Sequence, residues 1–138
     1  MTHPEVANPE VSRGISAKFP KMVLEWEQIV IDATDAAGLG QWWADALDWV
    51  VVNDSSEEFE IRPAVDRLPG WLFEPVGDTK VTKNRLHPDF RPDDQDEAVT
   101  RFLSLGARPV DIGQGEQSWV VLADPEGNEF CVLSKRHR

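Results

Sequence analysis

Arg85, His87 and Asp89 alternate along Arg85–Phe90, a run that reads as a strand, so the three side chains share one face. Glu129 and Cys131 alternate in the same way in the last apolar run, Glu129–Leu133, and Trp26 and Gln28 do so within Val23–Asp32. Glu74 ends the short run Trp71–Glu74. Histidine and glutamate are residue types that take a proton from a carbon next to a carbonyl, and an arginine steadies the oxyanion that results. An indole face holds an aromatic or cationic ligand. Glu74 and His87 are therefore the candidate catalytic residues, and Trp26, Gln28, Arg85, Asp89, Glu129 and Cys131 are the candidate ligand-binding residues. Each also has a plainer structural reading. A strand histidine can have its ring nitrogens satisfied by backbone, and a buried free cysteine behaves as a small hydrophobe. Cys131 has no second histidine in its motif to activate it, because His3 and His137 lie in the terminal segments. A register slip of one residue would turn Gln28 and Glu74 to the opposite face.

The elements that must carry these residues are written twice. Val23–Asp32 reads as a strand; Asp35 caps a helix whose Leu39, Trp42, Trp43, Ala46 and Leu47 form one apolar stripe. Trp49–Val52 and Phe59–Arg62 follow as a hairpin around the turn residues Asn53–Ser56, and Trp71–Glu74 is the last strand before Pro75. After the polar linker Gly77–Lys83 the order returns. Arg85–Phe90 is the strand, Asp94 with Glu97 resembles a capping box, and a helix with Ala98, Val99, Phe102 and Leu103 turned inward stops at Gly106. Pro109–Ile112 and Ser118–Leu122 are strands, Asp124–Asn128 is a turn, and Glu129–Leu133 closes the module. The fold class expected is α+β, with two βαβββ modules at residues 23–76 and 84–134 in one domain, 23–138, preceded by an arm at 1–22. A half-open sheet needs a partner, so the modules are expected to pack together and leave a cavity between them. Trp26, Trp71 and Trp119, near strand ends, are the tryptophans expected to line it, and Trp42 and Trp43 are expected in the core.

The chain has 138 residues, 41% hydrophobic and 28% charged, the usage of an ordinary globular domain. Its net charge of −11 repels nucleic-acid phosphates and anionic membranes, which leaves a neutral or cationic small molecule as the expected partner. One cysteine allows no intrachain disulfide, and no apolar run has the length of a signal-peptide core or a membrane span. The expected location is cytoplasmic.

Gln28 through Asp35 to Trp42-Trp43, then Asn84–Phe90 with Asp94, then Asp124-Pro125-Glu126-Gly127-Asn128-Glu129-Phe130, together resemble the glyoxalase, bleomycin-resistance and extradiol-dioxygenase superfamily, the vicinal oxygen chelate proteins. The likeness runs from about Val23 to Leu133. It implies paired βαβββ modules curled around a cavity, with metal ligands drawn from the first and last strands of each module. Carried onto this chain, those positions are Gln28, Glu74 and His87, and Cys131 stands where the superfamily pattern has a glutamate. A thiolate there favours zinc over magnesium, manganese or iron, so the cofactor is either a divalent metal or none. The superfamily hosts lyases, isomerases and dioxygenases as well as proteins that only bind a drug or metabolite, and both kinds of function are implied for this chain. Proteins of this architecture often pair, and a homodimer is implied as well.

Overall fold

The computed structural model describes residues 23–136. The first module runs β1 (Gln28–Ala33), α1 (Ala36–Leu47), β2 (Val50–Asp54), β3 (Phe59–Arg62) and β4 (Gly70–Pro75); the second runs β5 (Asp89–Phe90), α2 (Gln95–Ser104), β6 (Arg108–Pro109), β7 (Val120–Ala123) and β8 (Glu129–Val132). Each module forms its own four-stranded mixed sheet, in the order β1-β4-β3-β2 and β5-β8-β7-β6. The outer strands β1 and β5 lie parallel to β4 and β8, and the other pairs are antiparallel. The order expected from the sequence is present in both halves, and the fold is α+β with two modules.

Both helices start where the sequence offers a carboxylate. Asp35 Oδ1 accepts from the Gly38 N–H at 3.0 Å and Asp94 Oδ1 from the Glu97 N–H at 3.0 Å, satisfying donors that a first helical turn leaves unpaired. From these starts α1 and α2 bring their apolar stripes to a single shared core. Phe59, Ile61, Trp71 and Phe73 enter it from the first sheet, Leu122, Phe130 and Val132 from the second, and Leu39, Trp43, Ala44 and Phe102 from the helices. Trp43 is its centre, with ring centroids 5.0 Å from Trp71 and 4.9 Å from Phe130, both edge-on.

Because strand side chains alternate, the residues between these core positions point the other way. Gln28, Asp32 and Glu74 in the first sheet, and Asp89, Glu129 and Cys131 in the second, lie on faces turned away from the shared core. The space between the modules is thus filled by aromatic side chains, and the candidate residues sit on the open sheet faces instead.

One turn joins the two halves. The carboxylate of Asp124, a residue 1% exposed, accepts four hydrogen bonds: from Trp43 Nε1 at 2.9 Å, from the Glu126 and Asn128 N–H groups at 2.9 Å each, and from Asn128 Nδ2 at 3.0 Å. Glu126, two residues on, reaches across with both carboxylate oxygens to the N–H groups of Thr34 and Asp35 at 2.8 and 2.9 Å, just ahead of α1.

Several local expectations are corrected. The first strand is shorter than Val23–Asp32, and Trp26 lies ahead of it, 63% exposed. Trp71 is a core residue rather than a pocket wall, because it shares the inward face of β4 with Phe73. Leu103 is 40% exposed; Ala98, Val99 and Phe102 already complete the inward stripe, and Leu103 follows Phe102 by about 100° around the helix. The strand expected at Arg85–Phe90 is reduced to Asp89–Phe90, since Pro88 has no N–H for the ladder. The arm at 1–22 and His137 lie outside the described residues.

Two stability outcomes follow from this core. An added Cβ at Gly40 would stand 2.2 Å from the Phe59 ring, so Gly40→Ala is expected to lower unfolding free energy by about 1–3 kcal/mol. Trp43→Phe removes one of the donors to buried Asp124 and should cost a similar amount, about 1–3 kcal/mol. Urea titration followed by far-UV circular dichroism measures both.

Candidate functional site

The open face of the second sheet carries the tightest group of chemically capable side chains. β5 and β8 place Asp89 directly beside Cys131. Although Pro88 donates nothing, its carbonyl accepts from the Cys131 N–H at 3.0 Å, which extends the pairing towards His87. His87 Nε2 and Asp89 Oδ1 are 3.0 Å apart. One ligand atom from each of His87, Asp89 and Cys131 falls within 4.8 Å of the other two, the only such group of histidine, cysteine and carboxylate side chains found among the described residues. His87 and Asp89 are exposed and Cys131 is buried, so the group has one wet and one dry side. Burial pushes the Cys131 thiol above its ordinary pKa; the adjacent Asp89 charge, and the hydrogen bond the thiol gives it, push further, against a weaker pull from Lys83. Cys131 is therefore a thiol at neutral pH and a poor nucleophile.

Glu129 faces the same way two residues earlier but is already occupied. Its carboxylate accepts from Lys80 Nζ at 3.0 Å and from the Asn84 N–H at 2.9 Å, and its carbonyl accepts from Asn84 Nδ2 at 3.2 Å. The linker is thereby clasped onto the sheet. Burial raises the Glu129 pKa, but the Asn84 N–H and the Lys80 ammonium outweigh it, and the net shift is downward.

The internal repeat locates the first module's counterpart of the cluster. Gln28 and His87 each stand seven residues ahead of a helix-capping aspartate, Asp35 and Asp94. Two residues further on, Val30 faces Leu72 as Asp89 faces Cys131. The first module thus holds the same constellation as Gln28, Val30 and Leu72, with two of its three members apolar. Glu74 lies beyond it: it pairs with Asp32, whereas Gln28 pairs with Gly70, and the four-residue offset puts Gln28 and Glu74 roughly 13 Å apart along the strands. The register therefore does not set those two residues side by side. Arg85 and Trp26 are exposed, and neither makes a side-chain hydrogen bond or ion pair among the described residues.

Asp89, a ligand contact in the sequence reading, also joins the group of possible metal donors, and its i, i+2 spacing from His87 is the sequence signal for that. Glu60, buried on the open face of the first sheet and bonded to Arg62 Nε at 2.8 Å, gave none, because Phe59-Glu60-Ile61-Arg62 alternates as a half-solvated strand does.

The Glu129 clasp sets a pH dependence. A carboxylate with a depressed folded-state pKa adds stability above its unfolded value, near 4.5, and that stability is lost as pH falls through the lower folded value. Glu129→Gln is expected to be less stable than the native chain at pH 7, by about 1–3 kcal/mol. The gap should narrow steadily below pH 4.5 in thermal melts taken across the acid range.

A family model for the glyoxalase-like domain matches residues 28–133. No curated protein matches the chain. Among solved structures, a glyoxalase/bleomycin resistance protein/dioxygenase family enzyme from Burkholderia phytofirmans PsJN superposes with a TM-score of 0.64 at 14% identity, over 82% of this chain and 100% of that one. A mutant of the fosfomycin resistance protein FosX from Listeria monocytogenes, in complex with Mn(II) and 1S,2S-dihydroxypropylphosphonic acid, gives 0.63 at 17% identity, over 83% and 93%. The oxidase ChaP-H1 gives 0.60 at 21% identity, over 83% and 98%. With the matched region spanning both modules from β1 to the end of β8, the chain belongs to the glyoxalase-like domain family.

Proposed function

We propose that this protein binds a small molecule at the open face of the second sheet, and that His87, Asp89 and Cys131 together hold a divalent ion of the zinc class beside it. The observation that carries this reading is the convergence of an imidazole, a carboxylate and a thiol within 4.8 Å on a sheet face clear of the core. The donor chemistry fits such an ion: nitrogen, oxygen and sulfur are the ligand types zinc accepts, and three protein ligands leave a position for a small molecule. A bound ion of this kind polarises a ligand oxygen. Around it the chain's own groups have defined tasks. Asp89 orients the His87 ring through the 3.0 Å contact, and the apolar surroundings of Cys131 exclude water from one side of the site. Cys131 must release its proton to act as a ligand, so affinity rises with pH. Support from relatives is limited to fold, although the FosX structure shows that a related scaffold holds Mn(II) with a small phosphonate.

A non-catalytic binding protein of the drug-resistance kind is the second reading, favoured by the His87–Asp89 contact, which pairs the two side chains without an ion. There His87 and Asp89 would hydrogen-bond the ligand directly. A lyase or isomerase acting next to a carbonyl would instead turn a ligand over, with the candidate base His87 in direct reach of it; Glu74, on the other sheet, is the weaker candidate for that role.

Elemental mass spectrometry of tag-free protein dialysed against zinc, manganese, nickel and iron(II) tests the metal reading. Near-stoichiometric zinc that falls at least tenfold in both His87→Ala and Cys131→Ser is the expected result. Retention of no metal, or retention unchanged in both variants, would overturn it. Restoring the superfamily residue with Cys131→Glu should move the preference from zinc towards manganese.

A further inference from the structure

Beside the cluster, the segment between β6 and β7 forms an open cleft of about 780 Å³ with Val110, Glu116, Trp119 and Val121 in its walls. Val121 is the residue that pairs with Cys131 across β7 and β8, so the cleft begins one strand away from the cluster. We propose that this cleft is a subsite for an organic cation, a substituted ammonium group carried on an aromatic or aliphatic body. The proposal deepens the small-molecule reading above and depends on it only for the location of the rest of the ligand.

Three observations point to a cation. Trp119 is 36% exposed at the cleft although it lies outside the aromatic core, and an indole face attracts an ammonium group by its quadrupole. Glu116, in the same wall, makes no hydrogen bond or ion pair among the described residues, so its charge is available to a ligand. The net charge of −11 raises the local concentration of cations and lowers that of anions around the whole molecule.

The segment is also built to hold its shape. Gln114 Oε1 accepts from the Ile112 N–H at 2.8 Å, Gln117 Nε2 donates to the Gln114 carbonyl at 2.9 Å, and Gln95 Nε2, from α2, donates to the Ser118 carbonyl at 2.8 Å. Gly113 and Gly115 take positive φ, 86° and 66°, which lets the chain turn tightly on either side of Gln114. The glutamines are consumed in fixing the loop, leaving Glu116 and Trp119 as the groups that meet a ligand.

Isothermal titration of the full chain with benzyltrimethylammonium, and with benzoate as the anionic counterpart, tests the assignment. The expected result is saturable one-site binding of the cation and none of benzoate. Affinity should fall severalfold in Trp119→Ala, as a cation–π contact at an exposed site implies, severalfold in Glu116→Gln, and little in Trp119→Phe, which keeps an aromatic face. No binding of the cation, binding unchanged in both Trp119→Ala and Glu116→Gln, or equal binding of benzoate would overturn the subsite. His87→Ala separates the two readings. It should abolish zinc retention and leave cation binding intact; absence of zinc binding in the native chain, with the cation still bound, counts against the cluster alone, and zinc binding without cation selectivity counts against the cleft alone.

Discussion

The buried carboxylate of Asp124 is the constraint on which the two-module arrangement depends. No cation balances it among the described residues; four N–H donors do, three of them from its own turn and the fourth from Trp43 in the other module. Losing any donor would leave a charge in a dry environment with a deficit, and burying such a charge without full compensation is costly. The turn geometry, the position of the Trp43 indole and the packing of Trp71, Phe90 and Phe130 around that ring are consequently fixed together. β8 starts directly after this turn, so the placement of Cys131 beside Asp89 is inherited from it.

The repeat is symmetric in its backbone and asymmetric in its chemistry. Both modules cap their helices with aspartate, pair the outer strand in parallel with the last, and turn the same alternate positions outward. At those positions the second module has kept an imidazole, a carboxylate and a thiol, whereas the first has Gln28, Val30 and Leu72. Buried Glu60, opposite Leu72 and bonded to Arg62, is a charged element on the same face. A scaffold duplicated in this way can devote one copy to chemistry and the other to stability or contact.

Much of this was legible in the residues. The order of elements, both helix caps, the stop at Gly106 and the Asp124–Asn128 turn followed from periodicity and local hydrogen-bonding chemistry, which act over a few residues. Strand lengths did not follow. Val23–Glu27 alternates as a strand would but lies ahead of the ladder, which begins at Gln28 opposite Gly70; a pattern of side chains records which face is apolar, not where a neighbour ends. For the site, His87 and Cys131 could be found from spacing, because strand alternation places them. Their joining through Asp89 needed the inter-strand register, and the separation of Gln28 from Glu74 needed it too. The direction in which the two sheets face was invisible for a different reason: alternation defines an inside and an outside for each sheet, but only the packing of Trp43 between them decides that both insides coincide.

Glu126 has a wider meaning in this light. Its two oxygens serve backbone donors at the threshold of a helix nearly a hundred residues earlier in the chain. The start of that helix is therefore held in part by a segment of the other module. The first half thus does not complete the hydrogen bonding ahead of its own helix, and a lesion in the Asp124–Asn128 turn of the second half is felt at the start of the first.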